Sequence, residues 1–136
     1  MASLLASGEL VGGHMKQEFF VPGPLPNLNE IIGAAKGYNG RGFNYSKMKK
    51  EWTALVVAAI HDAKLTPVIQ CEVTFMWYEK NKRRDPDNFS VGKKFILDGL
   101  VEAGILENDG WDNVSRLTDV WMVNKDRPGV WVGITS

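Results

Sequence analysis

Two periods of apolar residues alternate along the chain. From Ser46 to Lys64, Met48, Trp52, Leu55, Val56, Ala59 and Ile60 recur at spacings of three and four, which predicts a long amphipathic helix with Ser46 at its N-cap. From Asn88 to about Ala103, Phe89, Ile96, Leu97, Leu100 and Val101 predict a second helix, closed by Gly104. Between them, "VIQCEVTFMWY" is rich in β-branched and aromatic residues and predicts a strand through Tyr78. "VSRLTDVWMVNK" and "GVWVGIT" predict two more, joined as a hairpin by "KDRPG". Near the start, Phe19 to Val21 read as a short strand running into a proline-rich loop. Asn27 or Asn29 then caps a short helix through "EIIGAAK". The order strand, helix, strand, helix, strand, strand predicts an α+β domain, a small mixed sheet with two long helices packed on it.

Length adds one constraint: 136 residues suit a single domain. Residues 1–14, "MASLLASGELVGGH", read as an appended expression leader outside the fold, leaving 15–136 as the domain. No run approaches the ~20 apolar residues of a membrane helix, so a soluble, cytoplasmic protein is expected. Cys71 is the only cysteine, which excludes an internal disulfide and a thiolate metal cluster within one chain. Sixteen basic residues balance sixteen acidic ones, which argues against a uniformly basic nucleic-acid binder. The charge is nevertheless clustered, in "KMKK" (Lys47 to Lys50), in "KNKRR" (Lys80 to Arg84) and at Lys93 and Lys94. "GYNGRGFNYS", Tyr38 to Ser46, reads as a Gly/Asn-rich loop.

The stretch "KRRDPDNFSVGKKFILDGL" carries the candidate chemistry. Proline at 86 biases Asp85 toward an extended backbone, and in an extended segment Asp85 and Asp87 leave on one face. Two such carboxylates repel unless a cation lies between them, and a hard divalent ion such as Mg²⁺ suits carboxylate, water and phosphate oxygens. The same four residues, Asp85 to Asn88, are equally a turn and helix-cap sequence. A second acidic group, Glu107, Asp109 and Asp112, follows the helix. That helix, of about 15 residues, is about 22 Å long, so the two groups cannot meet along it and the chain must return. Lys94 and Asp98 are four apart, the spacing of either a solvated ion pair or a cation presented to phosphate. His14 and His61 form no ligand pattern.

From Arg83 to Gly110 the sequence resembles the RusA family of Holliday junction endodeoxyribonucleases, carried by bacteria and their prophages. The resemblance rests on Asp85-Pro86-Asp87-Asn88, Lys94 ahead of Asp98-Gly99-Leu100, Gly104, and Asn108-Asp109. "PGPLPNLNE" matches the family's opening more loosely. Two departures are visible: the stretch from Asn88 to the lysine is about three residues longer than the family's, leaving Lys93 or Lys94 as the functional lysine, and Asn108 stands at the first position of an acidic pair. The resemblance implies a RusA-like fold, a homodimer, and Mg²⁺ (Mn²⁺ substituting) held by Asp85, Asp87 and Asp109. It also implies catalysis by these three with Lys94, and paired symmetric nicks across four-way junction DNA in recombination and repair. Lys80, Lys82, Arg83, Arg84, Lys93 and Asn88 are the expected DNA contacts, the bases offsetting the acids' repulsion of phosphate. The competing readings are a metal-dependent nuclease acting on flap or single-stranded DNA, and a non-catalytic DNA-structure binder.

Overall fold

The computed structural model describes residues 9–11, 14–37 and 43–136. In chain order the elements are β1 (Glu9–Val11), β2 (His14–Pro22), α1 (Leu28–Lys36), α2 (Phe43–Asp62), β3 (Cys71–Glu79), α3 (Pro86–Phe89), a 3₁₀ turn (Ser90–Gly92), α4 (Lys93–Glu102), β4 (Val114–Val123) and β5 (Gly129–Thr135). The architecture is α+β. Four long strands and the short β1 form one mixed sheet in the order β1-β2-β5-β3-β4.

β3 lies between the two strands that follow it in sequence, and its burial alternates with the pleat. Cys71, Val73, Phe75 and Trp77 are buried, while Glu72 faces solvent and Thr74, Met76 and Tyr78 are half-buried. β3 pairs antiparallel with β5 and parallel with β4. The expected hairpin between β4 and β5 is therefore not formed. The segment after Val123 instead passes the end of β3, where the Asn124 N–H donates to the Glu79 carbonyl at 2.7 Å. The reason lies in the crossover: a strand returning from α3 and α4 on the same side enters parallel to β3, leaving β3's other edge for β5. Register aligns Phe19, Val132, Phe75 and Asp119 in one row across the sheet, and Val21, Val130, Trp77 and Trp121 in the next.

The predicted strand at Phe19 to Val21 extends over nine residues. Glu9–Val11, expected to lie outside the fold, pairs antiparallel with it, Glu9 opposite Lys16. Asn27 caps α1 in a reciprocal arrangement: its Oδ1 accepts from the Glu30 N–H at 2.9 Å, and Glu30 Oε1 accepts from the Asn27 N–H at 3.0 Å. α2 begins at Phe43 rather than after Ser46. Of the loop expected at Tyr38 to Ser46, residues 38–42 lie outside the described residues and the rest is helical.

α2 and α4 pack on each other and on one face of the sheet. Val56 and Ile60 of α2 are fully buried against Ile96 and Leu100 of α4 and the β3 row. Fully burying each such side chain contributes roughly 1.5–3 kcal/mol. Leu55, expected on this face, is half exposed, and Thr53 is buried instead, because positions 53, 56 and 60 keep the three-four spacing that 55 breaks. The helices approach closely at Gly99, where an added Cβ would come within 2.3 Å of Val56 Cγ1. Gly104 closes the helix at φ +78°, with Ile105 N–H bonded back to the Leu100 carbonyl. Burial pushes the Cys71 thiol up to about 11, so it stays protonated at neutral pH and supplies no thiolate. Among the described residues, no helix is long and apolar enough to cross a membrane.

Candidate functional site

The single long helix expected from Asn88 is broken. Proline 86 stands at the first helical position, where its fixed φ suits a helix and its missing N–H is not needed, so the chain turns helical one residue after Asp85. Asp85 keeps the extended backbone expected of a residue before proline, at φ −80° and ψ 149°. Asp87 does not share it. It sits within the turn of α3, so the two carboxylates do not project from one face of an extended segment as the sequence suggested. Asp85 is the N-cap residue, but its carboxylate caps nothing; its carbonyl accepts from the Asn88 and Phe89 N–H groups at 2.9 and 3.1 Å. Neither the neighbouring cap reading nor the paired-carboxylate reading describes this geometry fully.

Asp85 borders a hollow of about 370 Å³ with Glu79, Asn81, Lys82, Arg84 and Trp121. Arg84, expected to grip DNA, is turned inward here. Its Nε and Nη2 donate to the two carboxylate oxygens of the buried Glu79 at 2.8 and 2.9 Å, and its Nη1 donates to the Leu25 carbonyl at 2.7 Å. A guanidinium fork matched to a carboxylate and a backbone oxygen has little left for phosphate. Arg84 instead ties the proline-rich loop before α1 to the end of β3. Lys80, Lys82 and Arg83 remain exposed around it, and Asn88 is half-buried.

The second hollow is larger, about 860 Å³, and opens between α2, α4 and the turn after α4. Lys49, Lys50 and Lys94 line it opposite Asp98, Glu102, Glu107 and Asp109. The chain does return as the sequence required: Asp109 comes back from the turn to lie 3.7 Å from Lys94 Nζ. Lys94 also donates to Asp98 Oδ1 at 3.1 Å, and Lys49 Nζ from α2 stands 3.8 Å from Asp98 Oδ2. The hydrogen bond to Asp98 holds the Lys94 ammonium above its ordinary 10.5; burial opposes this, and the fields of Asp98, Asp109 and Tyr45 add to it. Two buried polar atoms among the described residues lack a hydrogen-bond partner, Thr53 Oγ1 and Asp98 Oδ2, and both residues border this hollow.

The two neighbouring lysines, which follow the 3₁₀ turn at the start of α4, face different parts of the molecule. Lys93 faces the sheet, where its ammonium donates to Asp119 of β4 and lies 5.6 Å from the centre of the Phe75 ring. Asp119 in turn accepts from the Trp77 indole N–H at 2.8 Å. Lys93 is thus engaged on the sheet side, by Asp119 and the Phe75 ring. Lys94 is the lysine that meets Asp109.

The three-carboxylate metal site does not form within one chain. Among the described residues no group of three His, Cys, Asp or Glu side chains is arranged to hold a metal ion. Asp85 and Asp109 border different hollows, and Asp87 lines neither. The donor set expected for Mg²⁺ is therefore not gathered as a three-carboxylate cage among the described residues. Sequence reasoning placed Lys49 only within a basic cluster and missed Thr53; both border the hollow because α2 packs across α4 at Gly99. It missed Trp111 as well, two residues after Asp109 and 96% exposed. A fully solvated indole in an acidic turn carries no periodic signal.

No protein-family model matches the chain, and no curated protein matches it.

Proposed function

We propose that this protein is a structure-specific DNA endonuclease of the Holliday-junction-resolving kind, acting as a homodimer and cutting phosphodiesters at the hollow shared by Lys94 and Asp109. The observation that carries this reading is the Lys94–Asp109 approach. Two residues fifteen positions apart, one on α4 and one in the following turn, lie 3.7 Å apart at an open hollow between helices. A lysine held protonated at such a place offsets charge building on a phosphate oxygen, and a carboxylate beside it can accept a proton or orient water. Lys49 and Lys50 on the same wall, and Lys80, Lys82 and Arg83 beyond α3, supply sequence-independent attraction for the DNA backbone. The exposed Trp111 offers a flat face for an unstacked base, which favours a nucleic acid over a free nucleotide.

A second copy of the chain is proposed to dock along β4. This strand ends the sheet, with β3 on one side and no described strand on the other. Leu117, Val120, Trp121, Met122 and Val123 are 40–52% exposed along it. A long apolar edge of this kind invites strand pairing, and two-fold pairing would present two equivalent sites to two strands. Mg²⁺, or Mn²⁺, enters the proposal as an assay requirement. The carboxylates expected to hold it are not gathered among the described residues.

The test is nicking of a synthetic four-way junction beside linear and flapped duplexes, with Mg²⁺ or with chelator, by wild type and by Asp109→Asn. Symmetric cutting of the junction that both chelation and Asp109→Asn abolish, with junction binding retained, supports the reading. Equal cutting of flaps moves the protein to a flap or single-strand nuclease. Binding without cutting under any condition leaves the catalytically silent binder, a reading favoured by the ungathered carboxylates.

A further inference from the structure

Ion pairs four apart on a helix are common and weak, worth roughly 0.3–0.5 kcal/mol when solvated. The Lys94–Asp98 pair differs in what holds its acid. Asp98 is 17% exposed against 55% for Lys94, so the acid is the fixed member and the lysine the movable one. Its position is set across a helix interface, not by its own helix. Gly99, the next residue, has no Cβ, which lets Val56 and the Thr53 carbonyl of α2 approach α4 closely. That approach brings Lys49 of α2 to the second oxygen of the same carboxylate. One oxygen of Asp98 therefore faces a lysine on α4 and the other a lysine on α2.

We infer that Asp98, anchored between α2 and α4, is a positioning residue that holds the Lys94 ammonium against Asp109. The geometry has a simple reading. Lys94 ends a flexible four-carbon stem on a largely exposed side chain, and left to itself it would sample many rotamers. Asp98 Oδ1 at 3.1 Å is its shortest contact, and Asp109 at 3.7 Å is too far for a hydrogen bond. Asp98 thus fixes where the ammonium sits, while Asp109 receives only its field. Asp98 need not touch substrate for this. Its effect on cleavage rests on the endonuclease reading above, but its effect on the lysine does not.

The experiment has two arms. In the first, the side-chain ammonium groups of ¹⁵N-lysine protein are observed by NMR, with Lys94 assigned from the signal lost in Lys94→Arg. A slowly exchanging, ordered Lys94 signal is expected in the wild type. In Asp98→Ala, checked to retain the wild-type circular dichroism and a cooperative thermal transition, it should become as mobile as that of exposed Lys47. Asp98→Asn, which keeps an acceptor oxygen at nearly the same shape, should retain part of the order. An unchanged Lys94 signal in Asp98→Ala overturns the inference, whether or not the protein cuts DNA. In the second arm, junction nicking is compared in a double-mutant cycle. Asp98→Ala is expected to lower kcat about tenfold with KM little changed in an otherwise wild-type chain, and to have no further effect in Lys94→Ala. Independent, multiplicative losses would mean that Asp98 does not act through Lys94. Absence of nicking by the wild type would sink the endonuclease reading and leave the first arm to decide the positioning.

Discussion

Two clusters of opposed charge among the described residues, one at Arg84 before α3 and one at Lys94 and Asp98 on α4, are built differently. At Arg84, every short contact is satisfied: a two-point bond to Glu79 and a third to the Leu25 carbonyl, around a carboxylate whose side chain is only 10% exposed. At Lys94, the contacts are longer, and both unpartnered buried polar atoms of the described residues border the same hollow. Composition does not separate the two, since both mix lysine or arginine with acids. Satisfaction does. A saturated pair fixes loops to strands, whereas a loosely coordinated one has donors and acceptors left for a ligand.

Arg84→Ala should break the first cluster with the largest effect. It leaves Glu79 buried without its partner, and loss of one member of a buried pair costs roughly 3–5 kcal/mol. Urea denaturation should read a loss of that size, and a change below about 1 kcal/mol would mean that the cluster is not structural. Any loss of DNA binding in this variant should follow unfolding, not precede it.

Substituting the two neighbouring lysines sharpens the contrast within α4. Lys94→Ala should cost about a hundredfold in nicking rate with stability changed by less than about 1 kcal/mol. Lys93→Ala should do the reverse, losing stability because Asp119 and the Phe75 ring lose their cation, with the smaller effect on rate. The opposite ranking would place the working lysine on the sheet side.

The smallest expected effect is at Thr53. Its hydroxyl is buried without a partner, so Thr53→Val should stabilise the fold by about 1 kcal/mol. Destabilisation of similar size in thermal unfolding would show that the hydroxyl is hydrogen-bonded in solution, and that the second cluster is as saturated as the first.

Much of the fold was legible because it depends on local pattern. The Asn27 cap with Glu30 three residues later, the alternation through Cys71 to Trp77, and Gly104 at the helix end each state their role within a few residues. The site was legible in part. Lys94 and Asp109 were selected from the sequence and do meet, but the extended segment expected to carry both Asp85 and Asp87 ends at Asp85, a local rule applied one residue too far. A residue before proline is extended; the residue after it is free to be helical, and here it is. The hairpin at "KDRPG" failed for a different reason. Turn chemistry says that a chain can reverse there, and not which strand it will lie beside.

By itself, the sequence determined the α+β class, most of the apolar faces of α2 and α4 and the central strand's alternation. Each follows from interactions among residues near in the chain. Only the tertiary structure decided that β3 would separate β4 from β5, that Arg84 would be spent on Glu79, and that Lys94 rather than Lys93 would face Asp109. Those outcomes turn on which way a helix is rotated about its axis, where adjacent residues point about 100° apart, and on which edge of a sheet is vacant, and both are set by packing among distant residues. Gly99 against Val56 is the clearest case: a missing side chain on one helix selects the neighbour that another helix brings to Asp98.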